Sequence, residues 1–147
     1  LDIERITISG ISLGLARASL ETAVRYAKER TQFGRPIGDF QMIQAMLADG
    51  QAEYEAAAAY TYCAAKMWDD GQLKGQSSRA ISAKVKLVAA RMATKVALDA
   101  IQILGGYGYI KEFPVERYMR DAKLMEIGAG TNEILRVIVA RDLLGEL

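Results

Sequence analysis

Apolar residues recur along the chain at helical spacing, and no window shows the alternation typical of a strand. From Asp2 to Glu29 the apolar positions fill more than one helical stripe: Ile6, Ile8, Leu13, Leu15, Leu20, Val24 and Tyr26. Such breadth predicts a helix that is buried on several sides. Gly10 and Gly14 weaken this helix locally, and we expect close approach of a neighbouring helix or a ligand to compensate.

Glycines, prolines and capping residues predict where the other elements begin and end. They give a loop over 31–38, a helix over about 40–70, a polar connector over 72–76, a helix over about 77–104, an irregular turn over 107–109, a short helix over about 114–121 and a last helix over about 132–144. The expected N-terminal residues are Asp39, Ser77 or Ser78, Pro114 at the first helical position, and Thr131 or Asn132. Gly71 and the Gly105-Gly106 pair are the expected terminators.

These lengths predict an all-α fold, an up-and-down four-helix bundle. Helices of 28 to 30 residues extend roughly 40 to 45 Å at 1.5 Å per residue. Three such rods and a fourth, joined by short connectors, pack as a bundle. Strands are not expected, and the lack of a fixed repeat of 20 to 50 residues disfavours a solenoid.

Composition narrows the possible chemistry. The 147 residues fit one domain with a sizeable core, and a net charge of +1 gives no electrostatic reason to expect a nucleic-acid or membrane partner. The lone Cys63 excludes an internal disulfide and, in an alanine-rich helix, is expected to be a small buried hydrophobe. The chain begins at Leu1, in the middle of an apolar pattern, so we expect it to be a fragment of something longer.

The chain contains no histidine. This excludes Ser-His triads, imidazole catalysis and His-ligated metals, including a ferritin-like di-metal bundle, which needs Glu-x-x-His motifs. No metal site is predicted, and carboxylates are left as the best proton acceptors. Aromatic and methionine side chains on the middle helices are expected in the core or an interface: Tyr60, Tyr62, Trp68, Met42, Met46, Met67 and Met92.

Five short segments carry candidate chemistry: Arg30-Thr31-Gln32-Phe33-Gly34, Phe40-Gln41, Gln102-Ile103-Leu104-Gly105-Gly106-Tyr107-Gly108-Tyr109, the stretch 117–121, and Gly130-Thr131-Asn132-Glu133-Ile134. Arg30 suits a phosphate because its planar fork can donate two parallel hydrogen bonds, but it also suits the end of a helix as a solvated cation. The glycines would let backbone amides approach a cofactor, and they equally form a helix cap and a tight turn.

In this order and with this spacing, the segments resemble the C-terminal helical domain of acyl-CoA dehydrogenases over essentially the whole chain, with the isovaleryl-CoA type as the nearest look-alike. The resemblance implies that residues 1–147 are one helical domain of a longer flavoenzyme, whose N-terminal helical and middle β-domains are absent here. It further implies FAD, an acyl-CoA substrate, electron-transfer flavoprotein or a similar acceptor, and a homo-oligomer, dimer or tetramer. The expected compartment is the cytoplasm in a bacterium and the mitochondrial matrix in a eukaryote.

The catalytic base is where the chain departs from many family members. Those members carry Tyr-Glu-Gly-Thr with the Glu as base, whereas this chain has Gly128-Ala129-Gly130-Thr131. The resemblance implies that the base has moved to Glu4, which we expect to be buried against the acyl chain with a raised pKa. A Glu in the first turn of a helix also simply complements the helix dipole, and Glu126 and Glu133 are rival carboxylates.

The remaining assignments follow from the resemblance alone. The backbone N–H of Ala129 would stabilise the thioester oxygen. Gly128, in place of a bulky Tyr, would leave room for a branched acyl group. The implied cofactor-binding residues are Arg30, Gln32, Phe33, Gln41, Gln102, Leu104, Gly105, Gly106, Thr131 and Glu133, and the implied substrate-binding residues are Asp2, Arg5, Gly128 and Gly130.

Two other functions compete with the dehydrogenase hypothesis. One is a non-catalytic helical module used for oligomerisation or binding. The other is a sibling flavoenzyme, such as an acyl-CoA oxidase or a nitroalkane oxidase, which differs in its base or in its reactivity with oxygen. Under the dehydrogenase hypothesis, residues 1–147 alone are expected to fold, to bind FAD weakly and to show no turnover.

Overall fold

The computed structural model describes residues 1–145, and most of them are helical. The elements are α1 (Asp2–Glu29), β1 (Thr31–Gln32), β2 (Arg35–Pro36), α2 (Gln41–Asp69), α3 (Gly75–Leu104), α4 (Gly106–Tyr109), α5 (Val115–Ile127) and α6 (Asn132–Leu144). The predicted all-α fold is confirmed. None of the helices in this part of the chain is both long and apolar enough to cross a membrane.

The long helices alternate in direction, as the packing at the two ends of the bundle shows. At one end, Ile6 near the start of α1 packs with Ala64 near the end of α2 and Val85 near the start of α3. At the other end, the closing residues of α1 and α3 pack together with the first residues of α2 and α5: Ala23, Ala27, Ile43, Met46, Ile103, Leu104 and Val115. The bundle is therefore up-down-up-down, and α5 is its fourth helix.

Helix α3 lies at the centre and packs against α1, α2, α5 and α6. Seven of its fifteen buried residues are alanine: Ala80, Ala83, Ala89, Ala90, Ala93, Ala97 and Ala100. Small side chains let the neighbouring backbones approach closely. Helix α6 lies against α3, where the Lys84 ammonium donates to the Asp142 carboxylate at 2.7 Å.

One predicted absence is wrong, because residues 31–36 form a small antiparallel ribbon in which Thr31 pairs with Pro36 and Gln32 with Arg35. The two strands are too short to show any alternation in the sequence. They are joined through Phe33 (φ 54°) and Gly34 (φ 81°), both in the left-handed region. A two-residue hairpin turn of type I′ requires this sign of φ at both positions. The ribbon leads into a 3₁₀ turn over Ile37–Asp39.

Several predicted helix starts are also corrected. Phe40 rather than Asp39 precedes α2, and no side chain caps it. Helix α3 already begins at Gly75, because the Ser77 hydroxyl donates back to the Lys74 carbonyl instead of capping the helix. Pro114 is the residue before α5 rather than its first, and α5 continues to Ile127 instead of ending near residue 121. The α6 prediction, with Thr131 as cap, is confirmed.

Some predicted environments differ as well. Cys63 is exposed rather than buried, because it lies on the solvent face of α2. Met42 and Tyr62 are also exposed, which excludes them from the core, whereas Met92 is buried as expected. A Cβ added at Gly10 or Gly14 would have no neighbour within 4 Å among the described residues. The expected neighbouring helix is therefore not supplied by this part of the chain.

Candidate active site

The loop between α5 and α6, residues 128–131, has an unusual backbone, and we call it the Ala129 loop. Gly128 ends α5 with extended angles, but Ala129 (φ 52°) and Gly130 (φ 101°) are both left-handed. Thr131 then caps α6, its hydroxyl accepting from the Ile134 N–H at 3.4 Å. A positive φ is costly for a residue other than glycine, so the surroundings must hold Ala129 in this conformation.

Two buried cations hold the carbonyls of the Ala129 loop. Arg5 of α1 is 6% exposed, and its Nε donates to the Ala129 carbonyl at 3.3 Å. Lys86 of α3 is fully buried, and its Nζ donates to the Gly130 carbonyl at 2.9 Å. Both carbonyls are thereby fixed toward the core of the bundle.

The two cations differ in their charge balance. Arg5 donates to the Asp2 carboxylate at 3.2 Å, and the Ser78 hydroxyl donates to the other oxygen of Asp2 at 2.9 Å. Among residues 1–145, no carboxylate forms an ion pair with Lys86. Burial is the main cause that lowers the pKa of Lys86 to about 8; Arg5 lowers it further, whereas Glu126 and Glu133 oppose the shift.

Glu4 lies at the same end of the bundle as the Ala129 loop, since the next residue, Arg5, contacts the Ala129 carbonyl. Its side chain is 61% exposed. The expected burial of Glu4 is therefore not provided by the described residues. An acyl chain or further protein would have to cover it.

The two rival carboxylates are engaged by cations. The Lys123 ammonium donates to Glu126 at 2.6 Å. Burial tends to raise the pKa of Glu126, but the hydrogen bonds from Lys123 and Thr94 outweigh it, and the pKa lies below its ordinary value. The pKa of Glu133 is also lowered, chiefly by a hydrogen bond from its own backbone N–H, and Arg136 pairs with it at 3.3 Å.

At the opposite end of the bundle, a cavity of about 550 Å³ contains many of the residues predicted to bind a cofactor. We call it the Arg30 cavity; its walls are Tyr26, Arg30, Gln32, Ile37, Ile103, Leu104, Gly105, Gly106, Tyr107 and Ile110. The Arg30 guanidinium lies 5.9 Å from the centre of the Tyr107 ring. Gly105 (φ 59°, ψ −132°) turns the chain out of α3 in a conformation that favours glycine.

An adjoining cavity of about 760 Å³ is lined by two more of the predicted residues, Phe33 and Gln41. Phe33 is 90% exposed at the tip of the ribbon, and its ring meets that of Phe40 edge to face at 6.1 Å. Gln102 is exposed and lines neither cavity.

The predicted site residues therefore fall into two groups. Glu4, Arg5 and the Ala129 loop with Thr131 and Glu133 lie at one end, and the Arg30 cavity lies at the other. The 28 residues of α1 that separate them extend roughly 40 Å at 1.5 Å per residue. No single copy of the chain brings all the predicted cofactor residues together.

Sequence reasoning missed several residues of these sites. Lys86 is the most important, and its signal is a lysine on a face of α3 that otherwise carries Ala89, Ala90 and Ala93. Asn132 was considered only as a cap, yet it is buried and its Oδ1 has no hydrogen-bond partner among the described residues. The described residues contain no cluster of three or more acidic, cysteine or histidine side chains that could hold a metal ion.

Comparison with known proteins identifies the family. Residues 1–144 match the family model described as the C-terminal domain of acyl-CoA dehydrogenase. The chain belongs to the acyl-CoA dehydrogenase family.

Individual relatives agree with this assignment. The mitochondrial isovaleryl-CoA dehydrogenase of Oryza sativa subsp. japonica is 49% identical over 99% of the chain, which covers 35% of that relative. The structure of butyryl-CoA dehydrogenase from Megasphaera elsdenii superposes with a TM-score of 0.91 at 43% identity, covering 97% of the chain and 36% of that protein. A chain in a structure of the electron transferring flavoprotein of Acidaminococcus fermentans matches with a TM-score of 0.91 at 44% identity, covering 97% and 37%.

The acyl-CoA dehydrogenase domain thus spans about a third of the length of these relatives. The names of the relatives differ in the acyl group, one being a branched chain and one a straight chain. Family membership and fold are therefore shown, and the acyl group has to be argued from this chain's own residues.

Proposed function

We propose that residues 1–147 are the C-terminal helical domain of a longer FAD-dependent acyl-CoA dehydrogenase. The reaction is the α,β-dehydrogenation of an acyl-CoA thioester. The observation that carries this proposal is the Ala129 loop, whose carbonyls are held by Arg5 and Lys86 beside the helix that bears Glu4.

The Ala129 loop is suited to receive negative charge. In a planar trans peptide the C=O and N–H point in opposite directions. Because Arg5 and Lys86 draw two carbonyls toward the core, the N–H groups of Gly130 and Thr131 turn away from it. No backbone carbonyl among residues 1–145 accepts from the N–H of Ala129, Gly130 or Thr131. We assign the thioester oxygen to the Ala129 N–H, in keeping with the family resemblance; this N–H belongs to the peptide that precedes the two held by Arg5 and Lys86.

Glu4 is the proposed general base. The α-proton of a thioester is weakly acidic, so its removal requires a carboxylate and a stabilised oxyanion together. Ala129 has no side chain that could serve as base, and Glu126 and Glu133 are already tied to Lys123 and Arg136. The Glu4 carboxylate is exposed among the described residues, and substrate and the rest of the enzyme would cover it.

The Arg30 cavity fits part of the cofactor. Arg30 offers a planar fork to a phosphate, and Tyr26 and Tyr107 offer aromatic faces next to the backbone of Gly105 and Gly106. When bound, FAD would supply the redox chemistry by accepting the β-hydrogen as hydride. Thr131 and Glu133 would contact the flavin side at the other end of the bundle.

The separation of these two groups supports a homo-oligomer, a dimer or a tetramer. We propose that each flavin is held by the Arg30 cavity of one subunit and by the Ala129 loop of another. The reduced flavin would pass its electrons to an electron-transfer flavoprotein or a similar acceptor. We assign the enzyme to the mitochondrial matrix in a eukaryote and to the cytoplasm in a bacterium.

The proposed substrate is a short, branched acyl-CoA of the isovaleryl kind. Gly128 has φ −67°, which any residue can adopt, and an added Cβ would lie no closer than 3.5 Å to the Leu124 carbonyl and 4.0 Å to Ile8 Cδ1. A Cβ at Gly128 would thus be in ordinary contact with its neighbours, and we propose that the absence of a larger side chain next to Ala129 leaves room for an acyl branch. Faster turnover of straight medium chains than of isovaleryl-CoA by the complete enzyme would contradict this assignment.

The decisive experiment is anaerobic bleaching of the flavin by isovaleryl-CoA in the complete enzyme and its Glu4→Gln variant. Glu21→Gln is a matched control, because Glu21 lies on the same helix with 64% of its side chain exposed. We expect rapid bleaching in the parent and the control, and none in a Glu4→Gln enzyme that still binds FAD.

Other outcomes have defined meanings. Equal bleaching in Glu4→Gln would move the base elsewhere, with Glu126 the next residue to test. If the flavin bleaches anaerobically and is reoxidised at once when oxygen is admitted, the enzyme is an acyl-CoA oxidase. Absence of bleaching by a panel of acyl-CoA esters, with flavin bound, would refute the dehydrogenase.

A further inference from the structure

Lys86 is a fully buried ammonium in the middle of an apolar helix face. Removing a charge from water is expensive unless it is paired and hydrogen-bonded. The hydrogen bond that Lys86 makes is to the Gly130 carbonyl at 2.9 Å, and no carboxylate within residues 1–145 neutralises it. A hydrophobic residue at this place would serve the core at least as well, because replacing a buried charge by an apolar group is often neutral or stabilising.

The position of this charge connects it to the proposed site. Lys86 holds the peptide between Gly130 and Thr131, and Arg5 holds the preceding one, so two consecutive peptide planes are fixed. Asp2 neutralises Arg5, but Lys86 keeps its charge uncompensated at contact distance. Beneath the Ala129 loop, Lys86 is therefore the cation that has no carboxylate in an ion pair with it within residues 1–145, while Glu126 and Glu133 act on it from farther away.

We propose that Lys86 is a positioning residue for the dehydrogenation, one that anchors the Ala129 loop so that the Ala129 N–H, on the peptide preceding the two held by Arg5 and Lys86, meets the thioester oxygen, and that places a positive charge behind the loop. This inference rests on the proposed function of the loop. Lys86 does not touch the substrate, because it lies on the core side of the Gly130 carbonyl. It acts on the developing oxyanion through the orientation of the peptides and through its field.

The proposal predicts a pH dependence. The charges acting on Lys86 are Arg5 from α1, Glu126 from α5 and Glu133 from α6, and burial is the largest influence, giving a pKa of about 8. As the pH rises through this value, Lys86 loses its proton and the loop loses its positive support. Turnover should therefore fall on the alkaline side in the parent.

Three variants of the complete enzyme separate anchoring from charge. Lys86→Met fills the space with neither charge nor donor, and Lys86→Gln keeps an N–H donor without the charge. Lys95→Met is the matched control, because Lys95 lies on the same helix but faces solvent, where it pairs with Glu53. For each variant, amide hydrogen exchange of the peptide containing residues 128–131 measures how firmly the loop is held. The values of kcat and KM for isovaleryl-CoA are measured from pH 6 to 10. The pH at which a bound 3-thia acyl-CoA loses its α-proton is measured as well. Sulfur at the β-position of this analogue allows loss of the α-proton but not of hydride.

We expect Lys86→Met to fold and keep its flavin, to exchange the loop amides faster, and to lose about tenfold in kcat with little change in KM. This loss is smaller than the ~10²–10³-fold effect of removing an oxyanion donor itself. The pH at which the bound analogue ionises should rise, and the fall in turnover that the parent shows near pH 8 should disappear. In Lys86→Gln the loop amides should exchange as slowly as in the parent, but the fall in turnover near pH 8 should still be absent.

Parental kcat, pH profile and loop exchange in Lys86→Met would overturn the proposal, while leaving the dehydrogenase function intact. If Lys86→Met does not fold, Lys86→Gln decides, and a parental pH profile in that variant counts against the charge. A parent that binds flavin but dehydrogenates no acyl-CoA would instead refute the proposed function. In that case amide exchange of residues 128–131 in Lys86→Met still tests whether Lys86 anchors the Ala129 loop. Exchange at the parental rate would refute the anchoring.

Discussion

Ala129 and Gly130 form a short segment whose backbone is unfavourable by itself and is held by distant side chains. Each left-handed residue other than glycine costs of order 1–3 kcal/mol, which the contacts of Arg5 and Lys86 must offset. The same contacts leave the N–H groups of the loop unpaired by the backbone. Strain, buried charge and free donors thus occur together at one loop, as expected for a preorganised site.

The two glycines of this loop should respond differently to alanine. Gly130 has φ 101°, so Gly130→Ala should lower the free energy of unfolding by about 1–3 kcal/mol. Gly128 has an ordinary φ, and its added Cβ would make only ordinary van der Waals contacts, so Gly128→Ala should change the free energy of unfolding by less than about 0.5 kcal/mol. Urea unfolding of the chain measures both values. Equal losses in the two variants would mean that the loop is not held in the conformation described.

At the residue scale, sequence reasoning proposed glycine, arginine and glutamine motifs but not the groups that support the Ala129 loop. Arg30, Gly105 and Gly106 could be predicted because their types and spacing resemble a known pattern, and they do line one cavity. Lys86 could not, because a lysine in a helix is ordinarily expected in solvent. Its burial follows from the way α1, α5 and α6 pack on α3, which is not visible in the local sequence.

Gly108 joins the one-turn helix α4 to α3 at very short range. An added Cβ would lie 2.5 Å from the Ile101 carbonyl oxygen and 2.8 Å from its Cα, both backbone atoms that cannot move aside cheaply. Gly108→Ala should therefore displace α4 and with it Tyr107, a wall of the Arg30 cavity. We expect a loss of about 2 kcal/mol or more in stability, comparable to other overpacking changes, and weaker flavin binding by the complete enzyme.

Gly14→Ala is the control for this prediction. Gly14 lies inside α1, and a Cβ there meets nothing within 4 Å of the described residues. Replacing glycine by alanine within a helix should stabilise the chain by about 0.5–1 kcal/mol. Thermal and urea unfolding of both variants should thus move in opposite directions. A Gly108→Ala variant as stable as Gly14→Ala would show that α4 is not tightly seated.

At the element scale, the helices could be predicted more reliably than their ends. Asp2 to Glu29 was predicted to the residue, because the apolar pattern and the following glycine-rich loop both mark it. The end of α5 was missed, since Ala122 continues the helix by packing in the central core with residues of α1, α2 and α3. The ribbon was missed because two-residue strands leave no pattern, and only its Phe33-Gly34 turn is specific.

At the scale of the whole molecule, the separation of the two site groups determines what the chain can do alone. Residues 1–147 should unfold in one cooperative transition, because one core runs through α1, α2, α3 and α5. They should retain little FAD, since the Arg30 cavity supplies only one part of the contacts. The flavin absorbance of the purified chain tests this. Stoichiometric flavin, or turnover of isovaleryl-CoA by the chain, would contradict the division of the cofactor site between subunits and domains.

The stability of the whole molecule should carry the signature of Lys86. Its pKa falls from 10.5 in the unfolded chain to about 8 in the folded one. Between these pH values the unfolded chain binds more protons, so this lysine makes the free energy of unfolding rise with pH. Below pH 8 the buried charge is a constant cost.

Because Lys86→Met lacks both the cost and the rise, the parent should gain on the variant by on the order of 2 kcal/mol from pH 8 to pH 10.5. Urea unfolding of both proteins across this range measures the difference, in which the titration of all other groups cancels. If the free energies of unfolding of the two proteins changed with pH in parallel, Lys86 would titrate as an ordinary exposed lysine. The positive charge proposed beneath the Ala129 loop would then not be destabilised by burial.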